Sequence, residues 1–335
     1  MKSFLRFIQS KKMGSICPQT AVVFSIGLLF AGFITTAFAQ ALSPGTITAW
    51  GYNAMAIGQT MVPRGLNNVT AFAAGSLHSL ALKSDGTVAA WGNGAMNQTR
   101  VPSGLSNVSA VAVGAYHSLA LQNDGTVIGW GDNRYGQNTM PNGLTGATAI
   151  SAGSGYSLAL QSDGTVLSWG DNSQGQTNVP DGLACVNAIA SGWFHSIALL
   201  CDGTVVGWGD NTYGQTSIPD GLTDVTSIAA GDYSNLALKS DGTVIGWGDN
   251  SNGQISIPDR LTGIISIAAG RAHSLALKAD GTVVGWGDNS FGEATLPTGL
   301  TGVTAIAAGG LFSLAGNFSA ASGSIFINPF SIYRK

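Results

Sequence analysis

The stretch TVIGWGDNSNGQISIPDRLTGIISIAAGRAHSLALKADG, running from Thr243 to Gly281, decides the fold. Residues 243–247, ending at Trp247, read as a strand. Residues 248–253 are turn formers, residues 254–257 read as a second short strand stopped by Pro258, and residues 264–269 as a third that ends in Gly270. Residues 273–278 form a fourth, which runs into Asp280-Gly281, a hairpin signal of the type I′ kind. The stretch is therefore expected to be one four-stranded blade.

The pattern recurs with a fixed step. Trp91, Trp130, Trp169, Trp208, Trp247 and Trp286 are spaced 39 apart, Trp50 precedes the first by 41, and each is followed by Gly. A period of this size means a stacked or circular array. The chain begins the pattern inside a blade, at residues 45–50, and leaves it inside one, at residues 304–316. The two halves are complementary, and pairing them covers strand edges that an open array would expose. The expected fold is all-β, a seven-bladed propeller closed by a mixed N- and C-terminal blade, with Ala-Ala-Gly strands innermost, where the taper admits only small side chains.

Three segments follow: a leader (1–39), the propeller (40–316) and a tail (317–335). Lys2, Arg6, Lys11 and Lys12 precede an uncharged apolar run that ends in Ala37-Phe38-Ala39, the pattern of a secretory signal; a retained membrane anchor is the other reading. Either would put the propeller outside the cell or on the envelope exterior. Without the leader the chain keeps 10 Lys+Arg against 17 Asp+Glu. That balance argues against nucleic acid as a partner. Of the tail, residues 324–328 could add a strand at the rim.

The run LxxVxAIAAGxxHSLALKxDGTVxGWGDNxxGQ, almost literal at residues 261–293, resembles the repeat of the regulator of chromosome condensation (RCC1) superfamily. A 39-residue step is similar to its short-repeat secreted branch, which includes propeller-type β-lactamase inhibitory proteins. In those, aromatics of the Gly-x-x-His turns contact the target. The resemblance implies that role for Tyr116, Trp193, Phe194 and Tyr233, and a secreted hydrolase as the protein partner.

Read residue by residue, the repeats carry little catalytic chemistry. Most acidic residues sit in repeated turns. His78, His117, His195 and His273 share one repeat position with Tyr156, Ser234 and Phe312, so they read as structural, bonded to nearby backbone. The hydroxyls of Ser79, Ser118, Ser157, Ser196, Ser274 and Ser313 repeat as well, and none stands out as a nucleophile. Neither a metal site nor a cofactor is expected. Cys185 and Cys201 would face each other across an antiparallel hairpin centred on Trp193, as a disulfide or as two separate buried thiols.

The turns divide into two faces. Asp-Gly turns and Pro-x-Gly-Leu connections are nearly identical in every blade, as geometry alone requires. The Gly-x-x-His turns and Trp-Gly-Asp-Asn-x-x-Gly loops vary and carry large groups: Leu77, Tyr116, Tyr135, Tyr156, Trp193, Phe194, Tyr213, Tyr233, Arg271 and Phe291. Clustered aromatics with an Arg have the composition of a binding hot spot. Two readings stand beside a protein-binding face. The rings could pack against each other over the channel mouth, or a cell-surface propeller could stack them on glycans.

Overall fold

The computed structural model describes residues 45–53 and 57–318, so the leader and residues 319–335, with the rim strand expected there, lie outside the described residues. The described residues form seven antiparallel sheets and contain no helix long and apolar enough to cross a membrane. In the first blade the order is Val69–Ala74, His78–Lys83, Val88–Gly92, from the axis outward. The seventh joins Thr46–Gly51 to Phe312–Asn317 and Ala305–Ala308, with Trp50 opposite Ser313. The ring is closed by both chain ends, as the complementary half-blades require.

Each blade has three strands, not four. The segment expected as a second strand in residues 254–257 uses its backbone N–H groups locally: Ile255 N donates to the Asn250 side chain, Ser256 N to Gly253 O and Ile257 N to Ile255 O. With three of its four N–H groups taken inside the loop, it pairs with no strand among the described residues. The Asp-Gly hairpins also depart from type I′. Lys83 N donates to Thr87 O and Gly86 N to Lys83 O, and of the central residues only Gly86 has positive φ, +75°. This is a three-residue loop built on a type I turn with a bulge, in which Asp85 Oδ1 accepts the Thr87 N–H at 3.0 Å.

At the axis the glycines of Ala-Ala-Gly abut the next blade. A Cβ on Gly192 would stand 2.6 Å from Gly231 O, one on Gly270 2.6 Å from Gly309 O, and one on Gly309 2.7 Å from Gly75 O. Away from the axis each Trp-Gly tryptophan donates its indole N–H to a carbonyl in the loop leaving the preceding blade. Examples are Trp130 to Gln98 O at 2.8 Å and, across the closure, Trp91 to Gln59 O at 3.0 Å and Trp50 to Glu293 O at 2.9 Å. Ser118 donates to the same Gln98 carbonyl, and its oxygen lies 2.9 Å from His78 Nε2 of the first blade.

The histidines are structural, but their partners are side chains of the next blade rather than backbone. His117 meets Ser157, His195 meets Asn235 Oδ1 and His273 meets Ser313, at 3.0, 2.8 and 2.9 Å. The serine protons are committed to carbonyls, so their oxygens accept, and Asn235 Oδ1 can only accept, which fixes each ring as the Nε2–H tautomer. Burial pushes the pKa of His78 down to about 3 and those of His117, His195 and His273 to about 4. The two cysteines are bonded to each other on the Asp-Gly face, both exposed, with Cα atoms 5.5 Å apart.

Three measurements check this account. Deleting residues 45–50 removes the outer strand of the closing blade, uncovers the Phe312–Asn317 edge and should lower the melting temperature sharply. A neutral folded imidazole against an unfolded pKa near 6.5 means that unfolding takes up protons below that value. Stability should therefore be full above about pH 6.5 and fall toward pH 4, by about 1.4 kcal/mol per pH unit for each imidazole. His117→Phe, which copies Phe312, should reduce that slope by one proton in denaturant titrations. Apart from Cys17 of the leader, no free thiol should titrate in the oxidised, denatured protein, and reduction should cost up to ~3 kcal/mol.

Candidate interaction face

In every blade the Gly-x-x turn is bonded to the loop that follows the outer strand: Asp132 N to Tyr116 O, Asp210 N to Phe194 O and Asp249 N to Tyr233 O, each at 2.9 Å. The two variable loop sets thus build one face. Within the outer loops a buried Gln folds back to accept the N–H two residues earlier. Gln137 holds Tyr135 at 2.9 Å, Gln215 holds Tyr213 at 2.8 Å, and Glu293, in the same repeat position, holds Phe291 at 2.8 Å. The loops are ordered by buried side chains, while the residues they carry stay open: Tyr135, Tyr213 and Phe291 are each about half exposed.

The first residue after each axial glycine lines the channel mouth. Adjacent turns are bonded around it, Trp193 N to Asp232 O at 3.0 Å, Arg271 N to Gly309 O at 3.3 Å and Gly310 N to Gly75 O at 3.0 Å. Trp193, Asp232 and Arg271 therefore follow one another on consecutive blades. Leu77, Tyr116, Trp193, Phe194 and Tyr233 are half-buried, and the Arg271 side chain is 61% exposed.

Several of these rings also touch each other. Trp193 meets Phe194 edge-on at 6.3 Å between centroids, Tyr213 tilts against Tyr233 at 5.2 Å, and Phe291 meets Tyr52 at 4.7 Å. Tyr135 lies over Gly155 of the next blade. Tyr156 is the exception in the set expected on this face. It is fully buried, its hydroxyl donates to His195 O and lies 3.0 Å from Ser196 Oγ, and it offers no surface to a partner. Burial raises its phenol beyond the ordinary range. It belongs to the blade-to-blade contact that the histidines make elsewhere.

Two arginines lie on the face, both beside aspartates. Arg134 Nε binds Asp132 Oδ1 at 2.9 Å, close to Tyr116 and Tyr135, and holds the Asp132 carboxyl below its usual range against the effect of burial. Arg271 Nε is 3.9 Å from Asp232 Oδ2. Burial pushes Asp232 up to about 7, with Arg271 pulling the other way. Asp232 lies outside the repeated acidic turn positions, and nothing in the repeat pattern alone singles it out. The signal lies in the spacing: Asp232 and Arg271 are 39 residues apart, so the ring makes them neighbours. Among the described residues no group of three or more His, Cys, Asp or Glu side chains converges as a metal site would need.

Known structures share this architecture. Prp20p from Saccharomyces cerevisiae is 21% identical, with a TM-score of 0.71 over 85% of this chain and 94% of that one. Human WBSCR16 is 19% identical, with a TM-score of 0.65 over 83% and 100%. The ectodomain of the Physcomitrella patens receptor kinase CR4 is 26% identical, with a TM-score of 0.61 over 72% and 68%. No curated protein matches the chain in sequence. The model of the regulator of chromosome condensation (RCC1) repeat matches residues 69–98, 108–137, 147–176, 186–215, 225–254 and 264–293, more than half of the 335 residues. The chain belongs to the RCC1 repeat family.

Proposed function

We propose that this is an exported, non-enzymatic propeller that captures a protein on its aromatic face, and that its target is a secreted serine hydrolase of the β-lactamase kind. One observation carries the reading. Large side chains and repeat-to-repeat variation coincide on a single face, whereas the turns of the opposite face are nearly alike, with Asp-Gly in six of the seven blades and Pro-x-Gly-Leu in six of the seven connections. Turn geometry needs no Trp, Tyr or Phe, and exposing them costs solubility unless a partner covers them. Structural neighbours are described with protein partners, Prp20p with Gsp1p and histones and yeast RCC1 with Kap60, which supports a protein ligand in general. The hydrolase rests on the likeness of the short repeats to secreted inhibitors, and export on the leader pattern of residues 1–39.

Half-exposed rings are also surfaces on which sugars stack, so the test pairs immobilised secreted hydrolases with a glycan array. Trp193 lies at the mouth and touches Phe194, which makes it the anchor to remove. Trp193→Ala should weaken capture at least about 30-fold, the equivalent of ~2 kcal/mol, and leave the melting temperature nearly unchanged. A strong fall in melting temperature with capture intact would make the rings packing residues. Glycan binding without protein capture would favour the adhesion reading.

A further inference from the structure

Asp232 is an unusual carboxylate for this protein. The aspartates of the outer loops accept hydrogen bonds from hydroxyls, backbone N–H groups or Gln side chains, as Asp210 does from Thr212 and Gln215. Asp232 has none among the described residues. Its one opposite charge is Arg271, at 3.9 Å, longer than the 2.7 to 2.9 Å typical of a charge-assisted bond. Its side chain is 17% exposed, largely shielded from water yet open to the mouth. A carboxylate so placed is poorly compensated, and the group nearest to it, a mostly exposed arginine on the next blade, is free to swing outward.

The neighbour on the other side is Trp193, whose backbone N–H is bonded to Asp232 O at 3.0 Å, so the turns that carry the two residues are adjacent in the lining of the mouth. A mouth lined by an aromatic residue and a carboxylate on adjacent turns suits a cation, which gains from a ring face and from a negative charge. The charge of the face agrees. It carries Asp132, Asp171, Asp210, Asp232, Asp249 and Asp288 against two arginines, each beside one of those aspartates.

We propose that the channel mouth between Trp193 and Asp232 receives one basic side chain, Lys or Arg, from the tip of a protein loop, and that Arg271 is the internal cation it displaces. This rests on the aromatic face being the protein-binding surface. The incoming charge completes the compensation that Arg271 provides at a distance, and the surrounding aspartates speed encounter with a basic partner. Because burial raises Asp232 to about 7, a cation that favours its ionised form should bind better at pH 8 than at pH 6. Arg271 is the charged group that faces it from the following blade, and Tyr233, the next residue in the chain, stands with Tyr213 and Asp210 on its other side.

The probes are four disulfide-closed peptide loops, identical except for Lys, Arg, Leu or Glu at the tip, titrated calorimetrically into the full chain. Lys and Arg loops should bind at least about tenfold tighter than Leu and Glu loops, an advantage that shrinks at pH 6. Asp232→Asn, close to isosteric, should abolish the preference at an unchanged melting temperature, whereas Arg271→Ala should tighten the basic loops. No binding of basic loops at millimolar concentration, equal binding of all four tips, or an unaffected preference in Asp232→Asn would overturn the proposal. A Glu preference lost in Arg271→Ala would make the mouth an anion site. A protein target that Trp193→Ala releases and Asp232→Asn does not would leave the binding face standing and remove the cation site alone.

Discussion

The approach of each axial glycine to the carbonyl of the next blade sets the dimensions of everything outside it. No side chain fits there: a Cβ on Gly192 or Gly270 would lie 2.6 Å from an oxygen of the neighbouring turn. Seven blades meeting this closely leave a narrow channel and bring seven variable turns around one mouth. The innermost strands can then be buried almost throughout, because alanines fill the space between neighbours that larger side chains would force apart. At greater radius the blades diverge, and indole donors on preceding-blade carbonyls take over from direct backbone contact.

That second layer is uneven, and its gaps explain which residues close the ring. His, Tyr or Asn side chains link most neighbouring blades, but Phe312 reaches the first blade with no polar atom, and the buried Ser79 hydroxyl opposite it has no partner among the described side chains. Apolar packing substitutes there. Phe312 is fully buried in one cluster with Phe72 and Phe318, and the last two rings meet edge-on at 5.3 Å. The seam where the two chain ends join is thus held by strand pairing and aromatic contact, terms that do not depend on the protonation of an imidazole.

Much of this was legible in the sequence because a repeat exposes its own rules. The tryptophan spacing gave the blade count, the split first and last repeats gave the closure, and the contrast between varying and constant turns gave the two faces. What failed to read correctly has local causes. Residues 254–257 look like a strand by composition, yet Asn250 and Gly253 capture their N–H groups before a partner strand could. Tyr156 looked like one more aromatic of the face. Its repeat position, shared with histidines that point into the next blade, was the better guide, and there its hydroxyl does their work. The partner of a histidine was also invisible in a single repeat, because it lies 40 residues on, across a blade boundary.

Asp232 shows why a functional residue is harder to see than a structural one in such a chain. A structural position repeats, and its role follows from what all copies share. The mouth position repeats only in geometry: Ser76, Ala115, Ser154, Trp193, Asp232 and Arg271 have the same backbone setting and no common chemistry. The scaffold bears the cost of holding that setting through glycines, indoles and buried glutamines, which leaves the side chain at the mouth free of any packing duty. An acid that is largely shielded there, with one distant cation and no hydrogen bond, does nothing for the blade that carries it. Its charge is compensated fully only by something that enters the mouth, and the freedom of this position to vary is what allows the fold to keep it.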